Sequence, residues 1–306
     1  MAQTIESAGP GGTRPIGQGR PYYGFWRQSW RSFRANRIGM ISAAILIFFM
    51  FIALIAPLIS HFVTHFTATA QDLNNTFASP SHQHLLGSDE LGRDTLTRLV
   101  YGARASLGIG FLTVAIALTI GVSVGLVASY FGGIVDDLLM RLVDVVLATP
   151  AIFLYILMAI LFRPSPIAFP FIIASVSWAP LARLVRAEGL TLRSREFMLA
   201  TQSIGAGHAR LILRHLLPNS IPLVIVAASL RLGQVILIEA ALDYLGLGVQ
   251  PPTPTWGNML SNAEIYFSHS VWLVVLPGIA IFLTVIATNL LGNALRDVFD
   301  PWQSKH

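Results

Sequence analysis

The stretch REFMLATQSIGAGHARLILRHLLPNS, residues 195–220, lies between two long apolar runs and is too polar to cross a membrane. Phe197, Ala200 and Ile204 recur at helical spacing, which predicts one apolar strip on a short helix. Gly205, Ala206 and Gly207 then end that helix. Leu211, Ile212, His215 and Leu216 restart the helical period, and Pro218 is expected to stop it, because the residue before a proline avoids the helical region. The segment reads as helix, glycine break, helix, with small residues at Ala200, Gly205 and Ala206 where another backbone can approach. Two readings fit that pattern: a knob docking on a separate protein, or a hairpin packed only on its own bundle.

The runs on either side set the class. Of 306 residues, 54% are hydrophobic and 11% charged, where soluble domains carry roughly 25% charge. Six apolar spans stand out, at about 39–60, 107–130, 142–162, 166–185, 221–245 and 271–293. Each reaches the ~20 helical residues that cross a bilayer core. The expectation is an all-α integral membrane protein of six transmembrane helices, and the even number puts both termini on one side.

Arginine and lysine choose the side, since positive loops stay cytoplasmic. Fifteen of the 20 share one face: six in the amino-terminal tail, Arg141, six from Arg183 to Arg214, Arg296 and Lys305. Four (Arg93, Arg98, Arg104, Arg163) lie on the other, and Arg231 sits inside a span. Both termini and the segment 186–220 are thus expected in the cytoplasm. The net charge of +5 is mostly this topology signal, so nucleic acid is not an expected partner. The first apolar run follows nearly forty polar residues and is too long for a signal-peptide core, so it reads as an anchor. Ahead of it the Gly-, Pro- and Arg-rich tail reads as disordered as far as FWRQSWRSFRANR. There Trp26, Trp30 and Phe33 predict a helix lying on the lipid interface.

Most enzyme chemistry is absent. Gly121, Ser123 and Gly125 match the hydrolase elbow G-x-S-x-G, but they fall inside an uninterrupted apolar helix, where the two glycines make a surface for close helix packing. His82 and His84 have no third ligand at a metal-site spacing and read as solvated loop residues, so no metal site is expected. A phosphate-binding loop needs a lysine, and the only one is Lys305, so any ATP must be hydrolysed by a partner. The absence of Cys excludes disulfides and thiolate metal sites.

Arg231, Glu239 and Asp243 share the fifth span, where each charge costs roughly 2.5–3.5 kcal/mol. Glu239 and Asp243 are one turn apart, and Arg231 lies about 80° around the helix from Glu239. They line a translocation path or a seam with another subunit, or they form an internal ion pair. A carrier working alone, with these three as ion relay groups, is the competing class, and a hydrolase built on Ser123 is a second.

The segment 195–220 resembles the EAA loop of membrane subunits of type I ABC importers, which in the peptide-importer branch reads R-E-[YF]-V-x-A-A-x-x-x-G-A and then R-H-x-L-P-N. Arg195, Glu196, Phe197, Ala200, Gly205, Ala206, Arg214, His215, Leu217, Pro218 and Asn219 match, while Thr201 stands where a second alanine is usual. Three more stretches are similar to that branch: HLLGSDELGRDTLTRLVYGARASL (84–107), EAALDYLGLGVQPPTPTWGNML (239–260) and NLLGNALRDVFDP (289–301). Ser88, Thr97, Asp243, Tyr244 and Asn293 depart from its pattern.

The combination resembles the C-type permease subunit of a dipeptide, oligopeptide or nickel importer in the cytoplasmic membrane of a prokaryote. That resemblance implies a coupling role for Glu196, Phe197, Ala200, Thr201, Ile204, Gly205 and Ala206. It implies as partners a second permease subunit, two ATPase subunits and an external substrate-binding protein, with ATP and magnesium on the ATPases and no cofactor on this chain. It also divides the chain into a cytoplasmic tail (1–37), a first helix with its outer loop (38–101), the type I transmembrane domain (102–295) and a cytoplasmic end (296–306).

Overall fold

The computed structural model describes residues 25–261 and 265–299, with the backbone alone at 25 and 26. The tail before residue 25, the side chain of Trp26 and the end of the chain from residue 300, Lys305 included, lie outside the described residues. Among the described residues the regular elements are helices, joined by irregular segments at 65–94 and 245–255. A short helix α1 (Phe25–Ala35) turns at Asn36, whose side chain accepts from the Gly39 amide at 3.0 Å, into α2 (Arg37–Ile59). The chain continues through α3 (Thr95–Phe131), α4 (Gly133–Ala148), α5 (Ala151–Phe162) and α6 (Phe169–Arg193). Then follow α7 (Glu196–Ser203), α8 (His208–Leu211), α9 (Leu217–Tyr244), α10 (Trp256–Ser261) and α11 (Trp272–Phe299).

Among the described residues four helices are both long and apolar enough to cross a membrane: Arg37–Thr64, Thr95–Phe131, His208–Tyr244 and Trp272–Phe299. The third predicted span is not one straight helix. α4 and α5 meet at 83° across Thr149 and Pro150 and supply a fifth crossing only if the bent pair is taken together. The cause is local: Thr149 sits extended (φ −97°, ψ 133°), as a residue before proline prefers.

α6, the fourth predicted span, has 25 residues but falls short of the others in apolarity. It is heavily buried in the bundle, where small residues (Ala174, Ser177, Ala179, Ala182, Gly189) alternate with bulky ones such as Phe169, Ile173, Trp178 and Leu181. Against it, Gly121 and Gly125 of α3 let the two backbones touch. A Cβ on Gly125 would lie 2.6 Å from the Ala182 carbonyl oxygen, and one on Gly121 would lie 2.9 Å from that of Trp178. The G-x-S-x-G stretch is therefore a helix-packing surface within unbroken α3.

The bundle has two differently built ends. At one, which we call the loop end, segment 65–94 folds over the start of α3. Asp94 caps that helix by accepting from the Thr97 amide (2.7 Å), and Asp89 accepts from the amides of Leu91 and Arg93 (2.9 Å each) and from both Arg93 Nε (2.6 Å) and Arg98 Nε (3.2 Å). His84 is not solvated as expected: it is 1% exposed, stacked on Phe66, with Nδ1 3.1 Å from Asp94 Oδ2, because the turn around Gly87 (φ +78°) folds it back. His82 is exposed.

Candidate functional site: the hairpin and the buried carboxylates

At the opposite end, α7 and α8 form the predicted hairpin. Gly205, at φ +83°, makes the break in a conformation that costs any residue with a Cβ. The hairpin is mounted firmly. Met198, Leu211 and Leu216 are buried with Leu126, Tyr130, Val185 and Leu192, and the Tyr130 hydroxyl lies 2.7 Å from His208 Nδ1. Beside it the bidentate pair Arg186–Asp136 (2.5 Å at both contacts) ties α6 to α4.

The predicted strip faces away from this mounting. Phe197 and Leu199 are exposed and Ile204 is 87% exposed, with Ala200 and Gly205 beside them open to the surroundings. A Cβ on Gly205 would meet nothing within 4 Å. Glu196 is exposed at the start of α7, Thr201 bonds back to the Phe197 carbonyl (2.7 Å), and Ala206 alone of the loop residues leans on the buried cluster. The tip is thus an apolar protrusion on a rigid base.

Pro218 does not stop the second helix. The turn before it widens to a π-helix (Ile212–Leu216), and α9 runs straight on. The wide turn accommodates the proline, and side chains add bonds around it: Asn219 Nδ2 donates to the His215 carbonyl (2.6 Å) and the Ser220 hydroxyl to that of Leu216 (3.0 Å). The hairpin is consequently continuous with a helix long and apolar enough to cross a membrane.

The three charges expected in the fifth span are not brought together. Arg231 is half-buried and donates to Gln234 (3.0 Å), whereas Glu239 and Asp243, about 12 Å or more further along by the helical rise, are enclosed at the loop end. Asp243 holds the segment that follows it. Its oxygens accept from the Val249 amide (2.6 Å) and the Thr255 hydroxyl, while Glu239 accepts from Ser106 (2.8 Å). Gly246 (φ +73°) ends α9 in a Schellman turn, with the Leu247 amide on the Leu242 carbonyl at 2.8 Å. Trp256 of α10, 0% exposed, fills the space between α3, α9 and α2: its indole donates to the Leu99 carbonyl (3.1 Å) and its ring meets Phe49 edge-on. Thr255 and Trp256 give no periodic signal. Their trace in the sequence is their place in the stretch 239–260, after an acid that ends an apolar helix before L-G-L-G.

Comparison with known proteins settles the family. A model of binding-protein-dependent transport system inner membrane components matches residues 117–305, and one of the N-terminal transmembrane domain of oligopeptide transport permease C matches residues 24–80. The chain is 39% identical over 276 residues to the dipeptide transport system permease protein DppC of Alkalihalophilus pseudofirmus, covering 90% of each. It is 40% identical to the di/tripeptide transport system permease protein DppC of Pseudomonas aeruginosa, covering 90% of this chain and 91% of the relative. Against the glutathione transport system permease protein GsiD of Escherichia coli it is 39% identical, covering 90% of each.

The chain belongs to the inner-membrane permeases of binding-protein-dependent ABC transport systems.

It is a multi-pass protein of a prokaryotic inner membrane. A permease of this kind is a transport component, which the geometry fits: the two ends of α9 carry the protruding hairpin at one end of the bundle and the anchored segment 245–261 at the other. A lone carrier relaying ions through Arg231, Glu239 and Asp243 finds no contiguous relay in this arrangement.

Proposed function

We propose that this permease is the C-type subunit of an importer for di- or oligopeptides or similar small polar solutes, with the hairpin tip as its coupling element. The observation that carries the reading is that the strip of Phe197, Ala200 and Ile204 is exposed, as is Leu199, on a hairpin whose Met198, Leu211 and Leu216 are buried in the bundle. In water such a strip costs free energy, and seating it in a groove of another protein recovers it. Glu196, Ala200, Thr201, Gly205 and Ala206 complete the tip, the small residues allowing close approach of the groove's backbone.

On this reading the chain crosses six times, through α2, α3, the bent pair α4–α5, α6, α9 and α11. Both termini and the hairpin are cytoplasmic, and α1, with Trp30 60% exposed between Arg27 and Arg31, lies on the lipid interface. Residues 1–37 and 296–306 are the cytoplasmic ends, 38–101 the added helix and outer loop, and 102–295 the transmembrane domain proper. A second permease subunit completes the pathway, two ATPase subunits bind the hairpins and hold ATP and magnesium, and an external binding protein delivers cargo to the loop end. Arg231, on the half-buried side of α9, faces that pathway or the seam with the second permease. The test is uptake by the reconstituted complex: labelled dipeptide should enter proteoliposomes only with ATP, the binding protein and the ATPase subunits all present. Uptake driven by an ion gradient in this chain alone would refute the proposal.

A further inference from the structure

At the loop end two carboxylates stand one helical turn apart in the interior, Glu239 at 0% and Asp243 at 1% exposure. Both oxygens of Asp243 already accept hydrogen bonds, from the Val249 amide and the Thr255 hydroxyl. Glu239 Oε1 accepts from Ser106, whose Oγ in turn accepts from the Trp256 amide at 3.2 Å. Glu239 Oε2 is buried with no partner. The backbone closes the site: a Cβ on Gly257 would lie 2.7 Å from the Asp243 Cβ, and Gly248 is packed on the same side chain.

No charge on the surrounding elements compensates the pair among the described residues. On α9 the nearest cation is Arg231, about 12 Å away along the helix and bonded to Gln234. On α3, Arg98 pairs through Nε with Asp89, its Nη1 buried and unpartnered, and lies eight residues, about 12 Å along the helix, before the Ser106 that bonds Glu239; Arg104 is exposed and Tyr101 is half-buried. α10 has no titratable residue, α2 has none after Arg37, and α11 has none before Arg296. Two ionised carboxylates in such a place repel each other and leave buried charge unpaired, an arrangement that like-charged pairs avoid by keeping one proton.

We propose that Glu239 and Asp243 form a proton-binding site that stays loaded at neutral pH, with the proton on Glu239 Oε2 and Asp243 ionised. Both oxygens of Asp243 are already taken by donors, so Glu239 Oε2, the buried oxygen with no partner, is the atom left to carry the proton. The loaded pair pins segment 245–261 to α3 and α9, and losing the proton puts a second negative charge beneath that segment.

The site makes a signed prediction. A proton bound by the folded chain and absent from the unfolded one costs the fold up to about tenfold in its folding constant per unit rise in pH. The test uses the assembled complex in detergent. With wild type, the thermal midpoint should fall as pH rises through the neutral range; in Glu239→Gln, a neutral isostere, the complex should assemble and lose that part of the slope. Infrared spectroscopy of the wild type at neutral pH should show a protonated-carboxyl stretch that Glu239→Gln abolishes. Three results would overturn the proposal: an unchanged slope, absence of the carboxylic-acid band from the wild type, or failure of Glu239→Gln to assemble. Stabilisation of the wild type, but not of Glu239→Gln, by sodium over choline would also overturn it, since a metal cation would then occupy the site.

Discussion

Replacing Ile204 by alanine separates a docking tip from a hairpin that only packs on its own bundle. In the isolated chain Ile204 is 87% exposed, so removing its three outer carbons takes nothing from the permease's own core, and the chain should unfold as wild type does, within about 0.5 kcal/mol. Buried in a groove of an ATPase subunit, the same carbons contribute about 0.8 kcal/mol each, so their loss weakens docking by about 2.4 kcal/mol, roughly sixtyfold. Met198, on the same helix but 4% exposed, gives the converse. Met198→Ala removes buried contacts with the mounting cluster and should destabilise the chain by about 2–5 kcal/mol. The assay is titration of the purified ATPase subunits onto permease in detergent, alongside thermal unfolding of the permease alone. Wild-type affinity in Ile204→Ala, or a loss of chain stability equal to that in Met198→Ala, would refute the reasoning.

Gly125→Val should destabilise the bundle by at least about 1–3 kcal/mol, because the new side chain meets the Ala182 carbonyl; Gly108→Ala, in open space on the same helix, should be neutral or slightly stabilising, both read by thermal unfolding. Trp256→Ala empties a fully buried site between helices and should cost about 3–5 kcal/mol, seen as a lowered midpoint and as protease cleavage within 245–261. Arg231→Leu should lower uptake while the complex still assembles; failure to assemble, measured by co-purification, would give Arg231 a structural role instead.

The spans were legible because burial in lipid demands long apolar runs; α2, α9 and α11 follow them within a turn or two, and α3 does so at its end but starts more than three turns earlier. What lengthened the helices is equally physical. α3 starts at Asp94, a capping acid in the polar motif, and α9 begins at the hairpin because a π-turn absorbs Pro218. Pro150 carried a readable bend, since it leaves Thr149 no helical conformation, but its size of 83° depends on how α4 packs on α6. The hairpin tip was readable from Phe197, Ala200 and Ile204, which side of α7 packs inward was not: that rests on Met198 meeting Leu126 and Val185, residues remote in sequence. The burial of His84 and the partners of Glu239 and Asp243 were not readable for the same reason. Their partners Asp94, Ser106, Val249 and Thr255 come from turns and neighbouring helices, and no periodicity announces them.

The central claim is that the α7 tip transmits the work of a separate ATPase. The chain has no native cysteine, so a single one introduced at Ala200 reports alone. Paired with cysteines lining the groove of the ATPase subunit in the reconstituted complex, it should form a disulfide-linked product whose yield changes between the ATP-bound and nucleotide-free states. No crosslink in either state, with the complex still importing peptide at the wild-type rate, would contradict the account.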